Sequence, residues 1–247
     1  MKGHRASRGL DGQYVRSPIY VEYFDPTVTD YRAPSVVISA YFLMLPDMVL
    51  VLDESMRACA REGDTMADLT GKRALVIVEG YGTEEPELLQ PVEFLRERGA
   101  EVDIAAAQNP IDCVTGDRYD SQQIVPDKML AETGAEGYDV LIVPGGTVNM
   151  DRLRINPEAH RIMREFMEAK KVVACICHGP WLLVNAGVAE GKTVTSCEFN
   201  RIDMENGGFV WVDEEAHVDD SDGQTLITSR CPDDLPAFCA AIEAALA

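Results

Sequence analysis

The sequence predicts a doubly wound α/β domain over residues 69–247, in which a mainly parallel sheet carries helices on both faces. One observation is a set of short, continuous apolar runs, such as "RALVIV" and "VVACI", which are typical of strands buried on both faces. The other is the alternation of these runs with segments whose apolar residues recur at helical spacing. This alternation favours βαβ units, because parallel strands need a crossover connection.

The predicted elements follow one another along the chain. A strand at "RALVIVE" precedes a helix at "EEPELLQPVEFLRERGA", which Gly99 ends, and "EVDIAAAQ" and "YDVLIVPGG" are the next strands. The helix at "NPEAHRIMREFMEAKK" has Asn156 as its cap and Pro157 in its first turn. The remaining elements are a strand at "KVVACIC", a helix at "GPWLLVNAG", strands at "KTVTSC", "FVWVDEEAHV" and "TLITSR", and a helix at "PDDLPAFCAAIEAALA".

Residues 1–68 differ from the rest because they are rich in Tyr, Pro and Val and show little helical periodicity. We expect them to form an N-terminal extension that packs on the main domain or on a partner subunit. Its most apolar run, residues 35–52, contains Pro46 and Asp47, which divide it into pieces too short to cross a bilayer. This run is therefore predicted to be a buried strand or an oligomer contact.

The formal net charge of −20 argues against binding to nucleic acid or anionic membranes, because such binding depends on a basic surface. The seven cysteines are an odd number without framework spacing, and no apolar segment follows the basic N-terminal residues. These features predict a cytoplasmic protein with reduced thiols. No cofactor is expected.

Three features fall at the carboxyl ends of predicted strands, where ligands bind to a parallel sheet. They are a cysteine, a pair of glycines and an acidic cluster (Cys177; Gly145 and Gly146; Glu84, Glu85 and Glu87). They lie far apart in sequence and converge on one edge of the predicted sheet. The convergence predicts an active site there. An alternative reading of the acidic cluster is that it complements the dipole of a helix N-terminus.

Cys177 lies where a strand is predicted to end and a helix to begin, so its side chain would project from the sheet towards the positive end of that helix. That position lowers a thiol pKa and produces a nucleophile. Backbone N–H groups of the turn, including that of Gly179, and of the Gly145–Gly146 loop can hold an oxyanion. The alternative is a buried core cysteine. Metal binding by "CICH" is not expected, because no second Cys or His cluster has suitable spacing.

From Asp68 to the C-terminus the chain resembles the PfpI/ThiJ superfamily, which includes intracellular proteases, deglycases and glyoxalase-III-type enzymes. The matching motifs are "ICHGP", "PGG" and "E-x-x-E-L-x-x-P", in family order. The resemblance implies a flavodoxin-like fold, as in class I glutamine amidotransferases. It also implies that Cys177 is the nucleophile, His178 its base, Glu87 the acid that hydrogen-bonds the thiol and Glu84 a second acid beside it.

The same resemblance implies that Gly145 and Gly146 line the oxyanion site. It further implies that Asp151 serves the histidine of a neighbouring subunit, so that the site is complete only in a homo-oligomer. The chain departs from the family pattern at Cys197, which stands where an aromatic residue usually follows the Thr-Ser pair.

Three functions are compatible with these residues. The first is a cofactor-independent thiol enzyme acting on small reactive carbonyls or their adducts, of the glyoxalase III or deglycase type. The second is peptide hydrolysis by the same thiolate. The third is a redox-sensing or holdase-like stress protein in which Cys177 oxidises reversibly. Glutamine amidotransferase and isocyanide hydratase activities are less consistent with the sequence, because the late His-Glu motif of the former is missing and the latter has Asp at the position of Glu87.

Overall fold

The computed structural model describes residues 67–247. The predicted extension (1–68) lies almost entirely, and the apolar run 35–52 entirely, outside the described residues. The strands are β1 (Arg73–Val78), β2 (Tyr81–Glu84), β3 (Glu101–Ala106), β4 (Ile111–Thr115), β5 (Tyr119–Ile124), β6 (Lys128–Met129), β7 (Val140–Val143), β8 (Val172–Ile176), β9 (Thr193–Val194), β10 (Val210–Trp211), β11 (Ala216–Asp219) and β12 (Leu226–Ser229). The α-helices are α1 (Glu85–Glu97), α2 (Thr147–Leu153), α3 (Pro157–Glu168), α4 (Trp181–Ala186), α5 (Arg201–Asn206) and α6 (Leu235–Leu246).

Seven strands form the central sheet, in the order β11-β12-β8-β7-β1-β3-β6. Every neighbouring pair is parallel except β11 and β12, which are antiparallel at one edge. The carboxyl ends of β1, β7 and β8 therefore lie side by side at one edge of the sheet. The predicted doubly wound, mainly parallel sheet is confirmed.

Helices cover both faces of this sheet, as the continuous apolar strands require. In β1, Val76 and Val78 pack in a cluster with the apolar residues of α1 and α6. The alternate residues Leu75 and Ile77 pack in a second cluster with α2, α3 and α4. Because side chains of a strand point alternately to opposite faces, each face of β1 carries its own core.

The helix boundaries follow the predicted signals. The Asn156 side chain accepts a hydrogen bond from the Glu158 N–H at 2.9 Å, which caps α3. Gly187 ends α4 with φ of +67°, in the left-handed region. No helix formed by residues 67–247 is long and apolar enough to span a bilayer.

Several elements differ from the prediction. The short helices α2 and α5 and the strand β6 were not predicted, and two further regions were interpreted differently. Residues 111–124 form a β-hairpin that joins β2 in a second, three-stranded sheet, in the order β2-β4-β5. The sequence did not reveal β5 because its segment, "YDSQQI", is polar and mostly exposed on both faces. The segment "FVWVDEEAHV", predicted as one strand, forms the separate strands β10 and β11, because the acidic residues 213–215 interrupt it.

Candidate active site

Cys177 occupies a sharp turn directly after β8. Its φ is +60°, a left-handed conformation that costs a non-glycine residue about 1 kcal/mol. Two backbone hydrogen bonds of 3.0 Å hold the turn: the Cys177 N–H donates to the Ser229 carbonyl, and the Cys177 carbonyl accepts from the Cys197 N–H. The residue is 8% exposed. Its side chain is therefore fixed at the carboxyl edge of the sheet, with a small opening to solvent.

Glu87, in the first turn of α1, is completely buried at this edge. Its Oε2 accepts a hydrogen bond from the Gly145 N–H at 2.7 Å. Its Oε1 has no hydrogen-bonding partner within residues 67–247. Burial raises the pKa of Glu87 to about 8, an effect that hydrogen bonds from Gly145 and the Cys177 thiol offset only in part. At neutral pH this carboxyl group mostly holds its proton.

Gly145 lies between the acid and the nucleophile. A Cβ at this position would lie 2.7 Å from the Cys177 Cβ and 2.7 Å from Glu87 Oε2, so the site has no room for a side chain there. The Gly145 N–H is used by Glu87, and the Gly179 N–H donates to the Ile176 carbonyl at 2.7 Å. Neither group is free for the predicted role of oxyanion donor.

Two other backbone N–H groups at this edge are available. Those of Gly146 and His178 have no acceptor within the described part of the chain. Gly146 has φ of +89°, and a Cβ there would lie 2.1 Å from the Gly82 carbonyl oxygen, so only glycine fits. Of the three predicted glycines, Gly146 alone therefore offers a free N–H, and the sequence did not single out the N–H of His178.

His178 is almost fully buried next to the nucleophile. Its Nε2 lies 3.2 Å from the Thr147 hydroxyl, which donates to Asp117 Oδ2 at 2.8 Å. The Thr147 N–H donates to the other carboxylate oxygen of Asp117 at 2.7 Å. A hydrogen-bonded chain thus connects the imidazole to a carboxylate of the same polypeptide. Sequence reasoning missed Asp117, which lies in a turn without a motif.

Glu84 is placed differently from the prediction of a second acid beside the thiol. Its two carboxylate oxygens accept hydrogen bonds from the N–H groups of Gly116 and Asp117, at 2.7 and 3.0 Å. It therefore holds the turn that presents Asp117. Asp151 lies exposed on α2 and makes no hydrogen bond through its side chain to the described residues. Its predicted role in a neighbouring subunit stays a prediction.

Comparisons with known proteins identify the family of this chain. Residues 72–245 match the DJ-1/PfpI family. The chain belongs to the DJ-1/PfpI family. It is 37% identical over 155 residues to deglycase PfpI of Pyrococcus furiosus, which covers 63% of this chain and 88% of that protein. It is 34% identical over 170 residues to protein/nucleic acid deglycase 2 of Escherichia coli, which covers 69% of this chain and 94% of that protein.

A solved structure supports the same assignment. The crystal structure of Drosophila melanogaster DJ-1beta superposes with a TM-score of 0.64 at 30% sequence identity, covering 72% of this chain and 91% of that one. The resemblance predicted from the motifs is confirmed. The DJ-1/PfpI match begins near the start of the described residues and includes Cys177, His178 and Glu87.

In this member of the DJ-1/PfpI family a second thiol faces the nucleophile. Cys197 is half-buried, and its sulfur, the Cys177 sulfur and a His178 ring nitrogen all lie within 4.8 Å of one another. Interaction with the Cys177 thiol, with His178 and with the Phe199 N–H lowers the pKa of Cys197 to about 4, although burial opposes the shift.

The pKa of Cys177 is raised by its hydrogen bond to Cys197, by burial and by the neighbouring Glu87. The sequence predicted the opposite, a lowered pKa for Cys177. The difference arises because two thiols in contact share one proton, so that the first ionisation of the pair is easy and the second is difficult. The lowered pKa of Cys197 and the raised pKa of Cys177 favour the thiolate on Cys197.

The same three side chains are a set that can hold a metal ion. Two thiolate sulfurs and an imidazole nitrogen are ligands that Zn²⁺ and Cu⁺ accept. Spacing alone did not reveal the set, because Cys197 is brought to the pair Cys177–His178 by the fold. The expectation that this family member works without a metal stays a prediction.

Proposed function

We propose that this protein is a cofactor-independent thiol enzyme that acts on small reactive carbonyls or their adducts, in the manner of a glyoxalase III or a deglycase. The observation that carries the proposal is a fully buried carboxyl group, Glu87, directly beside the Cys177 thiol, and burial raises its pKa to about 8. A carboxyl group whose pKa lies near the working pH both gives and takes a proton efficiently. The relatives named deglycases support the same chemistry.

The first step joins the nucleophile to a dicarbonyl such as methylglyoxal. The Cys177 sulfur forms a bond to the aldehyde carbon, and its proton passes to the thiolate of Cys197, whose sulfur lies within 4.8 Å. The carbonyl π bond breaks, and its oxygen takes the proton of Glu87. The product is a hemithioacetal, and Glu87 is left as a carboxylate.

The second step uses the base that the first has created. The Glu87 carboxylate removes the proton from the former aldehyde carbon and returns it to the neighbouring carbonyl carbon, while the hydroxyl proton of the hemithioacetal passes to the oxygen of that carbonyl group, and the product is a thioester. Water then adds to the thioester, the C–S bond breaks, and a hydroxy acid leaves as Cys177 regains its thiol. Transfer of the proton held by Cys197 to Glu87 restores the starting state. With a glycated amine or thiol, the Cys177 sulfur bonds to the carbon that carries the adduct, the C–N or C–S bond to the target breaks, and the amine or thiol leaves with the Glu87 proton, which constitutes deglycation.

Backbone N–H groups and the His178 imidazole support the addition of water to the thioester. The free N–H groups of Gly146 and His178 are placed to stabilise the negative oxygen during addition to the thioester. The chain from Asp117 through Thr147 orients the imidazole of His178 and supports its action as the base towards water.

We also propose that the active protein is a homo-oligomer in which Asp151 lies near the site of a neighbouring subunit. Its exposed position on α2 supports this arrangement. Two exposed apolar residues flank it, Val148 (38% exposed) and Ile155 (69% exposed), as expected of a surface that a partner covers.

A cytoplasmic location is supported by the cysteines of residues 67–247, which are all unpaired. The charge of −20 makes nucleic acid and anionic membranes unfavourable partners.

The test compares the full-length protein with Cys177→Ala and Glu87→Gln, using methylglyoxal turnover to lactate and, in parallel, hydrolysis of an unstructured peptide. We expect dicarbonyl turnover that is abolished in the first variant and reduced about 10²- to 10⁴-fold in the second. Glu85→Gln, a change next to the site on the same helix, is the matched control. Peptide hydrolysis without dicarbonyl turnover would replace the proposal with a peptidase, and absence of both activities would favour a redox sensor.

A further inference from the structure

The contact between Cys177 and Cys197 has a chemical consequence that carbonyl chemistry does not need. Their sulfurs lie within 4.8 Å, and the Cys197 N–H is hydrogen-bonded to the Cys177 carbonyl at 3.0 Å. The two backbones are therefore fixed side by side. To reach the disulfide S–S bond length of about 2 Å, the sulfurs need to approach by no more than about 3 Å.

We propose that Cys197 is a resolving thiol, which captures peroxide-oxidised Cys177 as a reversible intramolecular disulfide. The bond occupies the nucleophile, so the oxidised protein is inactive and is protected from further oxidation. Reduction by a small thiol or dithiol restores both cysteines. This inference concerns the thiol pair and does not rest on the carbonyl activity.

The first step is oxidation of Cys177 by a hydroperoxide. The Cys177 sulfur attacks the terminal peroxide oxygen while its proton passes to Cys197, the O–O bond breaks, and an alcohol (or water, from hydrogen peroxide) leaves with a proton taken from Glu87. Cys177 becomes a sulfenic acid, with loss of two electrons to the peroxide.

In the second step Cys197, having returned its proton to Glu87, attacks the Cys177 sulfur as a thiolate. The S–S bond forms, the S–O bond breaks, and the hydroxyl leaves as water with the same proton. Overall, two thiols and one hydroperoxide give one disulfide, one alcohol and one water.

The surroundings favour Cys197 over the other described cysteines. Cys175 is fully buried in the core cluster on the opposite face of the sheet from Cys177. Cys113 and Cys239 are buried, and burial raises the pKa of each thiol to about 12. The half-buried Cys231 contacts Asp234 instead. Cys197, by contrast, has its sulfur within 4.8 Å of the Cys177 sulfur and its backbone N–H on the Cys177 carbonyl.

The position of Cys197 in the chain suits a thiol that must move slightly. It directly precedes a single 3₁₀ turn, Glu198–Asn200, on the surface of the domain. Phe199 in this turn is 84% exposed, whereas Asn200 is buried and its side-chain amide donates to the Cys177 carbonyl at 3.4 Å. The turn is therefore tied to the nucleophile, and the two sulfurs approach each other from backbones that already lie together.

The test treats the reduced full-length protein with two equivalents of hydrogen peroxide, the amount that takes one thiol to a sulfinic acid, in the presence of a chelator, which removes metal from the thiols. Peptide mapping by mass spectrometry then identifies the oxidation product. We expect a peptide pair joined through Cys177 and Cys197, lighter by two hydrogen atoms, which dithiothreitol separates. In Cys197→Ser the joined pair is lost, and Cys177 is recovered as its sulfinic acid.

The matched control is Cys231→Ser, in which we expect the disulfide to form as in the unmodified protein. Cys197→Ala provides a second variant in case the serine disturbs folding, which circular dichroism reports. The proposal is overturned if unmodified protein and both Cys197 variants give the same Cys177 sulfinate, if Cys177 joins a different cysteine such as Cys59, or if Cys177 resists peroxide. None of these readouts uses carbonyl turnover, so failure of the proposed enzyme activity is distinguished from failure of this inference.

Discussion

The Glu87 carboxyl group and the Gly145 backbone form one unit, in which the Gly145 N–H donates to Glu87 Oε2 at 2.7 Å. The same contact brings the acid of α1 against the loop after β7 and within reach of the nucleophile after β8. Three chain segments that are distant in sequence thereby place a proton donor beside a sulfur. The consequences of this arrangement can be tested one residue at a time.

We expect Gly145→Ala to abolish most of the activity and to lower the free energy of unfolding by about 1–3 kcal/mol, the usual cost of overpacking. The reason is that the added methyl group would lie 2.7 Å from both Glu87 Oε2 and the Cys177 Cβ. Urea denaturation and dicarbonyl turnover measure the two effects. Gly207→Ala is the control, because its Cβ would meet its nearest atom, in the Val184 side chain, at 3.0 Å. Equal losses in both variants would contradict this account.

Glu87 is predicted to make stability fall as the pH rises. Its pKa is about 8 in the folded protein and about 4.5 in the unfolded chain. Between pH 4.5 and 8 the folded protein keeps the proton of Glu87, whereas the unfolded chain has released it. The contribution of Glu87 to the free energy of unfolding is therefore complete below pH 4.5, and it is lost as the pH rises through about 8. In Glu87→Gln this dependence disappears. Urea denaturation between pH 5 and about 8.5 measures the difference, and parallel curves for the two proteins would refute the raised pKa.

Thr147→Val removes the hydroxyl that links His178 to Asp117 and keeps the shape of the side chain. We expect kcat to fall roughly tenfold, a part of the 10²–10⁴ that general acid–base catalysis contributes. Steady-state kinetics measures kcat in both proteins. Thr193→Val, whose hydroxyl makes no side-chain hydrogen bond in the described structure, is the comparison. An unchanged kcat in Thr147→Val would show that the chain of hydrogen bonds has no part in turnover.

The proposed contribution of Asp151 to a neighbouring site predicts complementation between inactive variants. Cys177→Ala and Asp151→Ala should each be inactive, and a mixture of the two should recover activity after subunit exchange. For a random dimer, half of the molecules are mixed and one of their two sites is complete, so about a quarter of the normal activity returns. No recovery in a mixture whose exchange is verified by native mass spectrometry would place Asp151 outside the shared site.

Removal of the second thiol should change the titration of the first. The hydrogen bond to Cys197 is the largest cause of the raised pKa of Cys177. We therefore expect the pKa of Cys177 to fall in Cys197→Ala, whereas in the unmodified protein alkylation near pH 6 should modify Cys197 faster than Cys177. Rates of iodoacetamide labelling at each site, followed by mass spectrometry across pH, test both statements. Faster labelling of Cys177 in the unmodified protein at this pH would reverse the assignment of the thiolate.

The sheet and the nucleophile were accessible to sequence reasoning because each depends on local signals. A strand buried on both faces must be apolar throughout, as residues 73–78 and 172–176 are. The turn at Cys177 follows such a strand directly, and the topology of parallel sheets places its end in the site. Glu87 was found by its motif near the start of α1, whose N-terminus faces the same edge.

The positions of Cys197 and Asp117 in the site could not be predicted from local sequence signals. Cys197 follows two residues of β9 that give a weak strand pattern, and its contact with Cys177 depends on how the loop after β9 crosses the site. Asp117 belongs to the hairpin of β4 and β5, whose exposed strand has no apolar alternation. Its position was set by hydrogen bonds to Glu84, a long-range contact that spacing does not encode.

The low exposure of Cys177 also affects its reaction with thiol reagents. Within residues 67–247 the residue is 8% exposed. A bulky reagent therefore meets this side chain less often than a small one such as iodoacetamide does, so the ratio of the two labelling rates reports how far the site opens in solution.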